Sequence, residues 1–184
     1  KKEDPRKQRQ WSGLATLSNK ASSGFLLFKV QEEVSQEEFK KQITEVLEAS
    51  KRQPDRMNAS LDIILETCSV TPEITVEYIY NVKELHKNPY SWVHGGIISG
   101  LMDYAIGAAA VAHTGHLVAT TDIATSFVKA MIGDRYRIKG EFTHVGGSRL
   151  NGSVKIFEWE TGELCATSQV GFAVLKGRAE KILG

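Results

Sequence analysis

The sequence predicts an α+β fold in which an antiparallel β-sheet wraps around one long central helix, preceded by an N-terminal extension that carries an amphipathic helix. Three observations lead there. From Ile97 to Ala112, sixteen residues hold polar side-chain groups only at Ser99, Asp103 and Tyr104, so this segment is covered on nearly all sides. After it come four segments rich in Val, Ile, Thr and aromatic residues, separated by turn-forming glycines. Before it, the charged stretch Lys51 to Asn58, with Pro54, breaks the chain into an extension, 1–56, and a main domain, 57–184.

The extension begins with a polar arm over residues 1–24, ending in Ala-Ser-Ser-Gly, with Trp11 and Leu14 as its apolar anchors. A short strand is expected at Phe25 to Val30. Ser35-Gln36-Glu37-Glu38 reads as a capping box with Val34 and Phe39 as its staple, and Phe39, Ile43, Val46 and Leu47 form an apolar stripe. An amphipathic helix therefore runs to about Ser50. Past the boundary, Leu61–Ser69 and Ile74–Lys83 read as strands divided by Thr71-Pro72-Glu73, and a loop covers Glu84 to Val93.

Ala, Leu, Met and Ile make the apolar run a helix, and Gly115 stops it. It is shorter than the ~20 residues that a bilayer core needs and carries a carboxylate near its middle, which excludes a membrane span. Leu117–Lys129, Arg135–Val145, Leu150–Trp159 and Leu164–Leu175 are the four strands. In the second, Tyr136, Ile138, Phe142 and His144 share a core face against Arg135, Arg137, Lys139 and Glu141. Turns at Ile132-Gly133-Asp134, Gly146-Gly147-Ser148 and Glu160 to Glu163 link them as a meander.

Of the 184 residues, 41% are hydrophobic and 24% charged, and the formal net charge is +1. Residues 1–60 carry 12 bases and 9 acids and residues 61–184 carry 11 bases and 13 acids, so neither part has the basic footprint of a nucleic-acid or anionic-membrane partner. Cys68 and Cys165 lie in strand patterns with no CxxC and no Cys/His cluster, so no disulfide framework and no metal site is expected. No apolar stretch follows the opening KKEDPRKQRQ, and a reducing, cytoplasmic setting is expected.

On the helix, Gly96, Gly100, Asp103 and Gly107 fall on one stripe, a nearly bare face with one acid in its midst. A carboxylate in such surroundings must be paired, protonated or in use. Gly95 and Gly96 start the helix, where unpaired N–H groups and the positive dipole end can hold an oxyanion. Eight residues separate Gly95 from Asp103, roughly 12 Å along the axis, too far for one carbonyl carbon to touch both. A second, antiparallel copy of the helix would bring them together.

Asn88, six residues before His94-Gly95-Gly96, and Asp103, nine after that His, reproduce the motif spacing of the PaaI-like acyl-CoA thioesterases of the hotdog superfamily, and the chain resembles that family over residues 57–176. The resemblance implies hydrolysis of a fatty-acyl or aryl-acyl thioester at a site shared by two protomers of a homodimer or homotetramer, with coenzyme A present only as part of the substrate. It assigns Gly96, with Gly95 and His94 alongside, to the oxyanion hole, Asn88 to orienting the thioester or water, and Asp103 to the base or nucleophile. Thr120 or Thr121 would hold the acid or the water. Gly147, Ser148 and Arg149 match positions that meet the coenzyme A nucleotide. Lys129 lies on the rim, where many relatives carry a proline, and Trp92 walls an acyl tunnel or packs.

Two other functions fit the same fold. A dehydratase or hydratase would use His86 or His94, and an acyl-CoA-sensing regulator would need a DNA-binding segment that residues 1–56 do not supply. His113 and His116, flanking the helix end, are expected to be exposed or to cap carbonyls.

Overall fold

A computed structural model describes residues 34–175. Its elements are α1 (Gln36–Lys51), α2 (Met57–Leu61), β1 (Ile64–Ser69), β2 (Thr75–Asn81), a 3-10 turn (Glu84–His86), α3 (Gly95–Thr114), β3 (Leu117–Phe127), β4 (Arg135–Val145), β5 (Arg149–Glu158) and β6 (Leu164–Leu175). The arm over residues 1–24, with Trp11 and Leu14, and the strand expected at Phe25 to Val30 lie outside the described residues.

The amphipathic helix expected before the sheet is α1. Ser35 Oγ accepts the Glu38 N–H at 3.2 Å, but Glu38 does not complete the capping box, because its carboxylate takes the Gln42 amide at 2.9 Å instead. Phe39, Ile43 and Leu47 enter the same buried core as α3 and the sheet. Gln36 fastens the helix start, donating to the Cys68 carbonyl at 2.6 Å and accepting the Val70 N–H at 3.1 Å.

The strand expected from Leu61 begins only at Ile64. Met57–Leu61 is helical, and Asp62 turns the chain in a left-handed conformation (φ 45°). The Asp62 carboxylate lies 3.4 Å from the Lys51 ammonium and 3.5 Å from that of Lys83, which holds the turn from both sides.

Helix α3 has 20 residues and a mean hydropathy of 1.4 over its most apolar window, enough in length and composition to cross a bilayer, so the length argument drawn from the sequence does not hold. Its surroundings explain its composition. Ten of its residues are buried among the other elements, and it ends at Gly115, whose left-handed backbone (φ 64°) returns its N–H to Val111 O at 2.9 Å.

The sheet is antiparallel throughout, with strand order β1-β2-β4-β5-β6-β3. Together with the central helix this is the hotdog fold, as expected. The expected four-strand meander is corrected at one place. β4, β5 and β6 are successive neighbours, but β3 pairs with β6 at the far edge, from Leu117 opposite Leu175 to Phe127 opposite Ala166. Residues 128–134 form a crossing and not a tight turn. Their backbone is caught by three elements: Val128 and Lys129 donate to Cys165 O, Met131 O accepts from Val93 N, and Asp134 O accepts from Val82 N. Tyr136 and Ile138 face inward as expected, whereas His144 is exposed, because a register shift between Phe142 and His144 ends the alternation.

Ile106 shows how closely α3 sits on the sheet. A Cβ on Gly152 would lie 2.8 Å from Ile106 Cγ1 and 3.1 Å from the Glu141 carbonyl. Gly152→Ala should therefore destabilise the fold by about 1–3 kcal/mol, the range for overpacking. Chemical denaturation measures this, and Ile106→Ala, which removes Cγ1, should cost less in the Gly152→Ala chain than in the parent.

Candidate active site

The loop before α3 folds back as a narrow hairpin. Lys87 bridges Val93, the Asn88 N–H donates to Trp92 O at 2.7 Å, and the His94 N–H donates to His86 O at 2.9 Å. Asn88 Oδ1 accepts the N–H groups of Tyr90 (2.9 Å) and Trp92 (3.2 Å), which closes the tip around Ser91 in a left-handed conformation. The Asn88 carbonyl is thereby used for structure. Its Nδ2 has no partner among the described residues, so the amide can still donate to a ligand.

Helix α3 then starts at Gly95 with His94 as its cap. His94 Nδ1 accepts the Gly96 N–H at 3.0 Å, which requires the neutral ring with its proton on Nε2. One of the two expected oxyanion donors is thus held by its own neighbour, and the ring must leave before Gly96 can donate to anything else. Beside Gly95 opens an apolar recess of about 270 Å³ walled by Trp92, Ile98, Phe127, Val128 and Met131, with the Phe127 ring 3.3 Å from where a Gly95 Cβ would stand.

Asp103 sits two turns further along, half-buried. Thr120 Oγ1 donates to its Oδ1 at 2.8 Å. Burial pushes the Asp103 carboxyl above the ordinary carboxylate range, and the Thr120 hydrogen bond opposes that shift. The two threonines are separated by a register shift between Thr120 and Asp122: Thr121 donates to Asp122 Oδ2 at 2.7 Å and does not meet Asp103. Around Asp103 lies a second recess, about 180 Å³, bounded by Tyr104, Gly107 and Phe172 and by Val46, Ser50 and Asn58 of the segment before the sheet.

The expected site residues thus form two clusters. Asn88, Trp92, His94, Gly95 and Gly96 surround the helix start, and Asp103 and Thr120 lie at its middle. The cations expected at coenzyme A are already paired: Arg149, outside both clusters, has Nη2 2.9 Å from Asp122, and Lys129, at the rim of the recess beside Gly95, is held by Glu163 and by Glu158 at 3.7 Å. Gly147 and Ser148 form the β4–β5 turn, where Ser148 O accepts from Val174 N at 3.0 Å. Among the histidines, His86 is fully buried with Nδ1 2.6 Å from the Tyr80 hydroxyl, and burial lowers its pKa. His113, expected to be exposed or capping, is instead half-buried, edge-on to Phe39 at 6.2 Å between centroids, with its Nδ1 unpartnered among the described residues.

Sequence reasoning missed Phe127, Ser50 and Asn58 as parts of the site and the capping role of His94. Val46, at the edge of the α1 stripe and only half-buried, and Ser50, four residues on, were the available signal for the second recess.

The fold and these clusters define a hotdog protein with a carboxylate on its central helix. A model of the thioesterase superfamily matches residues 90–165, a span that holds the helix start, Asp103 and Thr120. None of the curated proteins matches the sequence. Among solved structures, the Escherichia coli PaaI protein from the phenylacetic acid degradation operon superposes with a TM-score of 0.65 at 13% identity, covering 77% of this chain and 96% of its own. A thioesterase family protein from Silicibacter pomeroyi gives 0.61 at 21%, covering 73% and 99%. The protein smu.793 from Streptococcus mutans, bound to acetyl-CoA, gives 0.55 at 20%, covering 61% and 88%. These matches bear out the hotdog fold that the resemblance implied and, over residues 90–165, the likeness to the thioesterase superfamily.

Because the native Asp103 carboxyl titrates above its ordinary value, ionising it costs native stability as the pH rises from that value through the raised one. Asp103→Asn should therefore melt no lower than the parent at neutral pH. Thr120→Val removes the hydrogen bond that lowers the pKa, and carboxyl NMR should show Asp103 titrating at still higher pH. An unchanged titration would mean that the Thr120 contact is absent in solution.

Proposed function

We propose that this protein hydrolyses acyl-CoA thioesters at composite sites formed by two copies of the chain. One observation carries the reading: Asp103, held by Thr120 of β3, and the N–H groups at Gly95 and Gly96 share one helix but stand roughly 12 Å apart along it, beyond the reach of one carbonyl carbon. A second copy related by a two-fold axis supplies the missing half. Strand β3 offers the surface for it. Among the described residues it is the outermost strand beside β6, most of it is exposed, and Ile123 and Phe127 show 40% and 57% of their surface.

In this arrangement the thioester carbonyl oxygen points at the helix start of one copy, where Gly95 and, once His94 swings away, Gly96 stabilise the negative charge that develops. Asn88 Nδ2 orients the same group. Asp103 of the other copy acts on the carbonyl carbon, either by taking a proton from an attacking water or by attacking directly and being released by water. Thr120 holds the carboxylate in place. The C–S bond breaks, the carboxylic acid forms, and coenzyme A leaves as the thiol. The burial-raised pKa suits Asp103 to proton transfer. The acetyl-CoA bound to smu.793 is consistent with this substrate class.

The dehydratase reading has no available base in His86, which is locked against Tyr80 inside the core. Asp103→Asn should stay folded and lose turnover by orders of magnitude in an assay of thiol release. Gly96→Val, whose side chain would crowd His94 Nδ1 at 3.2 Å, should also be nearly inactive. Mixing folded Gly96→Val and Asp103→Ala chains with verified subunit exchange should restore about a quarter of the parental rate, because half the dimers are mixed and each holds one intact site of two. No recovery would refute the shared site.

A further inference from the structure

We infer that the segment before the sheet sets the size of the acyl group: Val46 and Ser50 of α1 and Asn58 of α2 close the recess beside Asp103, so that it takes a short acyl chain or a single ring and turns longer chains away. The inference rests on the composite site proposed above.

The two ends of an acyl-CoA need opposite surroundings. Coenzyme A carries a large nucleotide of negative charge, so its arm favours a positive wall and is repelled by a carboxylate, whereas the acyl group is neutral. The recess at Gly95 suits the arm: it lies at the N-terminal, positive end of α3 and carries Lys129 at its rim. The recess at Asp103 holds a carboxylate and is backed by Tyr104, Ala108 and Phe172, which are 8%, 3% and 2% exposed. The acyl group therefore belongs beside Asp103. That space is about 180 Å³, whereas an engineered apolar cavity of about 150 Å³ holds one benzene ring.

Its far side is fixed. Val46 and Ser50 are four residues apart and stack on one face of α1, which is pinned by buried Phe39, Ile43 and Leu47 and tied through Gln36 to Cys68 and Val70. Lengthening the space would mean lifting this helix from the core. Ser50 Oγ donates back to Val46 O at 3.1 Å and keeps only its lone pairs for the recess. The Asn58 side chain has no hydrogen-bond partner among the described residues, so the closed end is polar and adds a penalty for an apolar tail that would reach it.

The test compares kcat/KM over a series from acetyl- to dodecanoyl-CoA plus benzoyl-CoA, together with calorimetric binding of the corresponding non-hydrolysable thioether analogues. Val46→Phe should lower the hexanoyl-to-acetyl and benzoyl-to-acetyl ratios by about tenfold or more, the scale on which pocket size discriminates. Val46→Ala should move the preferred chain to greater length, and Asn58→Leu should do the same without enlarging the space. Circular dichroism and melting confirm that each variant is folded. Ratios within about twofold of the parent in all three folded variants, in both turnover and analogue binding, would overturn the inference. If the parent hydrolyses none of the thioesters but binds the analogues with a size limit that residue 46 moves, the recess assignment stands and the hydrolase reading fails.

Discussion

An apolar helix with no outward face of its own is the constraint from which the architecture follows. α3 buries residues on nearly every side, so one sheet cannot cover it. The concave face takes one side, where Gly140 and Gly152 let Ile106 approach the strands, and α1 takes another with Phe39, Ile43 and Leu47. The stripe of Gly96, Gly100, Asp103 and Gly107 is covered only in part, by Met57 at Gly100 and by Phe172 at Gly107, and leaves an opening at Asp103. That opening is where a carboxylate would otherwise be stranded, and a hydroxyl from β3 meets it there. Fold and chemistry thus meet on one helix: the more completely its other faces are enclosed, the more Asp103 is desolvated and the higher its carboxyl titrates.

The same helix divides the site by charge. Its N-terminal end presents backbone N–H groups beside an apolar recess, and its middle presents a carboxylate in a recess that α1 helps to close. His94 caps the helix, so Gly96, a donor in the proposed reaction, already has an acceptor. In that proposal a carbonyl would replace the ring and leave no orphaned N–H.

The parts that could be read in the sequence were those governed by short-range patterning. β4 spans Arg135 to Val145 as its alternation indicates, α1 ends within a residue of expectation, and the motif spacing located Asn88, Gly95, Gly96 and Asp103 on the elements where the structure has them. What failed depends on pairings between distant residues. Nothing local in Leu117 to Phe127 says that its neighbour is β6 and not β4, because Gly133 looks like a hairpin turn until Met131 is seen bonded to Val93. A register shift of one residue decides between Thr120 and Thr121, and it arises from pairing with Phe172 and Gly171. The Asp103 recess escaped for the same reason: its outer wall comes from residues 46, 50 and 58, far away in the chain.

The position of β3 also has a consequence for how the chain acquires its shape during synthesis. Among the described residues its only strand neighbour, β6, ends at Leu175, so a ribosome-bound chain that has just emerged past Phe127 holds an eleven-residue strand without that partner. Helix α3 and the β1–β2 hairpin can associate early, but β3 must wait for nearly fifty more residues, and a long strand with an unpaired edge is prone to wrong pairing in that interval. Once β6 docks, one edge closes and the other is left ordered against a completed sheet. The outer edge of β3 is thus the last surface to be finished, and a truncated chain lacking β6 would have neither that edge nor the Thr120 hydroxyl in place over Asp103.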